Sequence, residues 1–108
     1  KNFSRGTKEE KGLSVIHFQQ SFHGRSGYTL SLTNTSDPRK TQYFPKFDWP
    51  RILNPKCTFP LEGENLQHVQ ELEKKALAQI QVLLDQDPED IACLILEPIQ
   101  GEGGDNYF

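Results

Sequence analysis

Apolar residues recur along this chain in two different rhythms. Between residues 65 and 86, Leu66, Val69, Leu72, Ala76, Ile80, Leu83 and Leu84 follow one another at three- and four-residue steps. That spacing draws one apolar stripe along an amphipathic helix. Glu71, Lys74, Lys75, Gln79 and Gln81 fall largely off the stripe, and Asn65, just after Gly63, is the expected N-cap. The segment DQDPED at 85–90 ends the helix and turns the chain. The second rhythm is an unbroken run. LSVIHF at 13–18 and IACLIL at 91–96 are short and β-branched, and each is followed by turn-prone residues. Both read as buried strands, the second covered on both faces.

The order is therefore strand, long crossover with a helix, strand, which is the grammar of a parallel α/β sheet. Two strands and one helix cannot cover both faces of such a sheet, so the 108 residues read as part of a larger domain. Residues 1–12, KNFSRGTKEEKG, show no periodicity and are expected to be a flexible end or a continuation from upstream. YTLSLTNT at 28–35 fits either a helix or an irregular segment. Residues 36–63 carry five prolines and no clean period, yet hold Tyr43, Phe44, Phe47, Trp49 and Phe59. So many aromatics are expected to pack on the body of the protein rather than stand in water.

Composition removes several classes of function. The net charge of −3, from 12 basic and 15 acidic residues, leaves no electrostatic footprint for nucleic acid or an anionic membrane. No apolar run approaches the roughly 20 residues of a membrane span. Cys57 and Cys93 lie far apart, with Cys93 inside an apolar run as a small hydrophobe. A reducing, cytoplasmic setting is the default expectation. His17, His23, His68 and the cysteines lack zinc-ligand spacing, so no metal site is expected. GEGGD at 101–105 is neither a phosphate-binding P-loop nor a dinucleotide fingerprint.

Candidate chemistry sits where the strands end. Parallel sheets bind ligands at the carboxyl ends of their strands. The first strand delivers SFHGRSG at 21–27, and the second EPIQGEGGD at 97–105. If the strands are neighbours, Phe22, His23, Arg25, Glu97 and Glu102 converge on one rim. Phe22 offers a flat face for stacking on a ring. Arg25 offers a planar fork suited to a carboxylate or phosphate. Glu97 closes an apolar strand and needs a partner. Glu102, between Gly101 and Gly103, stands on backbone that can move or approach a ligand closely. A duller reading exists for each: a core phenylalanine, a structural histidine, a surface arginine. Two carboxylates also leave open a glycoside-type acid/base pair, or a carboxylate-binding module without catalysis.

Taken together, SFHGRSGYTLSLT and LILEPIQGEGGD, about 70 residues apart, resemble the class III, ornithine-aminotransferase-like branch of the pyridoxal-phosphate-dependent aminotransferases. The stretch TNTSDPRKTQYFPKFDWPRI resembles the lysine 6-transaminase group within it, and the likeness spans residues 13–108. The resemblance implies a fragment of the fold type I large domain, a mainly parallel sheet with helices on both faces. It implies an enzyme carrying the ε-amino group of L-lysine to 2-oxoglutarate through pyridoxal phosphate, acting as a homodimer. Ornithine, acetylornithine or 4-aminobutyrate is the alternative donor. By the same likeness Phe22, His23 and Glu97 would face the cofactor, and Arg25 would grip a substrate carboxylate. Glu102 would be a gate that masks a second arginine until the dicarboxylate arrives. The covalently binding lysine and the aspartate at the pyridine nitrogen are expected downstream of Phe108, and the phosphate-gripping residues upstream of Lys1. By that reading the 108 residues alone are inactive.

Overall fold

The computed structural model describes residues 11–108, so most of the reading of residues 1–12 falls outside it. Strand β1, Ser14–Phe18, is the middle of a three-stranded parallel sheet. On one side it pairs with β2, Arg51–Ile52, through His17 opposite Arg51 and Phe18 opposite Ile52. On the other it pairs with β3, Ile91–Leu94, through Val15 opposite Cys93 and Ile16 opposite Leu94, with a register shift between Ser14 and Val15. The two strands read from the sequence are thus direct neighbours and run the same way. β2 was not foreseen. Its two residues follow Pro50 inside the proline-rich stretch, too short for any period to register.

Helix α2, Gly63–Gln86, crosses from β2 to β3. Its N-cap is Glu62, not Asn65. Asn65 lies in the first turn, and its Nδ2 donates to the Pro60 carbonyl at 3.0 Å. Val69 and Ala76 are buried on the helix, while Ile80 and Leu83 pack on the core of Ile16, Phe18 and Ile52. Phe108 closes that core, its ring 5.2 Å from that of Phe18. The second cover expected over β3 is absent among the described residues: Cys93, Leu94 and Leu96 are exposed, as are Leu77 and Val82 on the helix. Both cysteines are free thiols.

The aromatics of the long crossover do not pack on the body as expected: Tyr43, Phe44, Phe47 and Phe59 are exposed, Phe59 meets Tyr107 edge-on, and Phe47 and Trp49 stack on each other. Tyr28, Phe47 and Trp49 stack with nearly parallel rings, Phe47 lying 5.2 Å from Tyr28 and 4.9 Å from Trp49. Tyr28 belongs to a single helical turn, α1 (Gly27–Leu30), directly after Arg25. The stack, with a bond from the Phe47 amide to Ser31 Oγ at 2.9 Å, ties the FPKFDW stretch to the loop that leaves β1. A short 3-10 turn, Pro38–Lys40, lies between them in sequence.

Beyond β3 the chain makes a hairpin of β4, Ile99–Gln100, and β5, Asn106–Tyr107, and the Gly-Glu-Gly-Gly sequence forms its tip. The tip is closed by bonds from the Gly104 and Asp105 amides to the Gly101 carbonyl, at 3.1 and 3.3 Å. A Cβ added at Gly103 would strike the Gln20 carbonyl oxygen, well inside van der Waals contact, whereas one at Gly101 would meet nothing within 4 Å. Gly103 is therefore required by close approach of two backbones.

A buried histidine is built into β1. His17 is fully buried; its Nδ1–H donates to the Val15 carbonyl at 3.2 Å, and its Nε2 accepts from Arg51 Nε at 3.1 Å. Burial holds its pKa below the ordinary 6.5, and the neighbouring Arg51 and His23 lower it further, against the Val15 bond. The unfolded chain therefore binds the proton first, so stability is full above 6.5 and falls as pH drops through that value and below it. Urea midpoints of the whole protein between about pH 8 and about pH 5 should decline on the acid side. His17→Gln should flatten that decline, and an unchanged slope would remove His17 as its source.

Two glycine substitutions separate close approach from loop freedom. Gly103→Ala should destabilise the protein by about 1–3 kcal/mol, the usual cost of forcing in one extra carbon. Gly101→Ala should leave the thermal midpoint nearly unchanged. Equal effects at the two positions would contradict the packing described for Gly103.

Candidate active site

Parallel pairing of β1 with β3 carries the two strand-end motifs to the same edge of the sheet. They touch directly. The Phe22 amide donates to Glu97 Oε2 at 2.9 Å, across 75 positions of sequence. Glu97 is half-buried, and this bond gives its carboxylate the partner that its place at a strand end demands.

The loop after β1 is held by the segment that follows α1. Ser21 Oγ donates to the Leu32 carbonyl at 2.6 Å, and the Asn34 amide to the Ser21 carbonyl at 2.8 Å. Thr33 Oγ1 accepts from the His23 amide at 3.0 Å and donates to the Gly24 carbonyl at 2.6 Å. Gly24 has φ +120°, and a Cβ there would collide with the Thr29 hydroxyl, so the turn between His23 and Arg25 needs glycine. Fixed in this way, Phe22 and His23 are half-buried and Arg25 is exposed. Arg25 has no ion-pair or hydrogen-bonding partner among the described residues, which leaves its fork open to an anion.

His23 Nε2 is buried and has no partner among the described residues. An orphaned buried nitrogen beside a half-buried phenylalanine fits a wall built to face a bound group, and the residues present are compatible with pyridoxal phosphate on that side.

Glu102 lies apart from Arg25 and Glu97, and no ion pair or hydrogen bond joins the three. Its Oε1 accepts from Lys40 Nζ at 3.0 Å. It borders a separate cleft of about 120 Å³, lined by Gln20, Asn34, Thr35, Ser36 and Gly103. The five expected residues thus form one group, Phe22 and its neighbour His23 with Glu97, and two outlying charges, Arg25 and Glu102.

Sequence reasoning missed the amide cluster beneath the glycine tip. Asn54 Nδ2 donates to Gln20 Oε1 and to Gln100 Oε1, both at 2.8 Å. Gln100 Nε2 donates to the Gln19 carbonyl at 2.9 Å, and Asn106 Nδ2 to Gln100 Oε1 at 3.0 Å and to the Gly103 carbonyl at 3.1 Å. Gln100 and Asn54 are buried. These bonds grip the tip on both sides of Glu102. Only Gln100 carried a signal, from its place in the glutamate motif; Asn54 stands in a stretch with no pattern. Among the described residues no cluster of potential metal ligands is present, and no helix is long and apolar enough to cross a membrane.

Comparison with known proteins bears on the family and the fold. The class-III aminotransferase family model matches residues 1–108. An L-lysine-epsilon aminotransferase of Mycobacterium tuberculosis is 49% identical over 107 residues, covering 99% of this chain and 23% of the relative. A 4-aminobutyrate aminotransferase of Dictyostelium discoideum is 39% identical over 95 residues, covering 88% of this chain and 19% of the relative. A solved lysine aminotransferase of M. tuberculosis superposes with a TM-score of 0.86 at 48% identity, over 99% of this chain and 24% of that one. The chain thus spans about a quarter of that solved structure. With the strand-end motifs joined, the fold matched and the family model spanning every residue, the chain belongs to the class III aminotransferases.

Proposed function

We propose that this chain supplies the substrate-facing wall of an enzyme that moves the ε-amino group of L-lysine to 2-oxoglutarate. The observation that carries the reaction class is the bond between the Phe22 amide and Glu97, which joins the two family motifs into one surface. The choice of donor is supported by the 49% identity to a lysine-epsilon aminotransferase, against 39% to a 4-aminobutyrate enzyme. The whole enzyme is read as a cytoplasmic homodimer.

Pyridoxal phosphate, when bound, supplies the electron sink that lets an amino group leave one carbon and join another. The chain's own residues orient and select. Phe22 presents its ring to the cofactor side, with its backbone fixed by Glu97. His23 keeps a buried Nε2 free to receive or give a hydrogen bond there. Arg25, exposed and unpaired among the described residues, grips the α-carboxylate of lysine and turns the ε-amine inward. Glu102 masks a second arginine, supplied from outside these 108 residues, while lysine reacts, and leaves it when 2-oxoglutarate arrives. A charge that switches partners lets one site accept two unlike substrates.

Isotope transfer tests this reading. Lysine labelled with nitrogen-15 at the ε position should deliver its label to glutamate when incubated with the whole enzyme, pyridoxal phosphate and 2-oxoglutarate. Lysine labelled at the α position should deliver none. Label arriving from the α position, or from ornithine or 4-aminobutyrate in preference to lysine, would overturn the donor assignment.

A further inference from the structure

We infer that Lys40 is a specificity-determining residue that receives Glu102 when the gate leaves its arginine; this rests on reading Glu102 as a gate. The backbone of the tip that carries Glu102 is anchored on both sides. The Gly103 backbone lies against Gln20, the Gly103 carbonyl is held by Asn106 at 3.1 Å, and Gln100 is fixed by Asn54 at 2.8 Å. Release of Glu102 is therefore a rotation of its side chain on a fixed base. A carboxylate rotated away from one cation gains if a second cation waits within reach. Lys40 is that cation, with Nζ at 3.0 Å from Glu102 Oε1.

The neighbourhood keeps Lys40 available. The carboxylate nearest to it in sequence is Asp37, which caps the 3-10 turn by accepting from the Arg39 amide at 3.1 Å. Arg39 also holds both Asp37 oxygens, through Nε and Nη2, each at 2.9 Å. Arg39 occupies both Asp37 oxygens, so Lys40 feels Asp37 only at longer range and makes its direct ion pair with Glu102. The side chains of Lys40 and Glu102 are 42% and 47% exposed, so the pair forms and breaks at little desolvation cost.

A contact made in only one of two states shifts their balance by its own strength. An exposed pair of this kind shifts it by about fivefold at most, equivalent to about 1 kcal/mol. Lys40 thus tilts the gate toward the state that admits a dicarboxylate. It acts through Glu102 and has no part in chemistry on lysine.

The test follows the two half-reactions of the holoenzyme by cofactor absorbance. Lys40→Met should weaken apparent 2-oxoglutarate binding about two- to fivefold, because the competent state is less populated. Lys40→Glu, which repels Glu102, should weaken it by up to about tenfold, and Lys40→Arg should restore it. The lysine half-reaction should stay within about twofold in every variant, since it uses the masked state. In a Glu102→Gln background the Lys40 substitutions should lose their effect. Unchanged 2-oxoglutarate binding in Lys40→Glu would overturn the inference. So would an equal loss in the Glu102→Gln background, which would mean that Lys40 attracts the dianion directly. A reactive wild type with indifferent Lys40 variants overturns this inference alone. A wild type that reacts with neither substrate overturns the function reading and this inference with it.

Discussion

Everything at the rim depends on the parallel pairing of β1 with β3. Those strands lie more than 70 residues apart in sequence, and hydrogen bonding in register places their carboxyl ends side by side. Only then can the Phe22 amide reach Glu97 at 2.9 Å. A bond from a backbone donor to a half-buried carboxylate is worth about 1.5–3 kcal/mol. Here it matters as much for position. It fixes the aromatic that leaves one strand by the acid that ends the next. Shifting the pairing by one residue would turn Ile16 and Phe18 off the α2 face of the sheet and break this contact at the same time.

The two glutamates of the second motif, five positions apart, occupy different physical settings. Glu97 is half-buried and tied to main chain. Glu102 is exposed and held by another side chain, Lys40, on a flexible stem. The first arrangement suits a fixed wall and the second suits a group that exchanges partners. The amide cluster of Gln20, Asn54, Gln100 and Asn106 reinforces the contrast, because it immobilises the backbone around Glu102 while leaving its side chain in solvent. Glycine at the tip, which invites a reading as a hinge, is explained at Gly103 by close packing on Gln20.

Much of this was legible in the sequence because it rests on local periodicity. The stripe from Leu66 to Leu84 fixed α2, and the two apolar runs fixed β1 and β3. The meeting of the two polar motifs at Phe22 and Glu97 followed from strand order once β1 and β3 are neighbours, whereas Arg25 and Glu102 stand apart from it. What stayed hidden depends on contacts between distant residues. β2 is two residues long, and it exists because Arg51 and Ile52 find His17 and Phe18. The helix starts before Asn65, which spends its amide on the Pro60 carbonyl instead of capping. The amide cluster unites positions 20, 54, 100 and 106, which share no period. The apolar run at 91–96 suggests cover on both faces, whereas Leu94 and Leu96 are exposed, because periodicity reports apolarity and not which neighbours are present.

The central claim is that Glu97 and Glu102 are a fixed wall and a movable charge, rather than an acid/base pair. The most direct measurement is the pair of half-reaction rates of the Glu102→Ala holoenzyme, with lysine, glutamate and 2-oxoglutarate, in stopped flow. The account predicts that the 2-oxoglutarate half survives within a few fold. It also predicts that the lysine half loses selectivity, as α-amino acids dock on the unmasked arginine and react through the wrong amine. A parallel fall of both halves, by about 10²–10⁴ as for a proton-transfer residue, would contradict it.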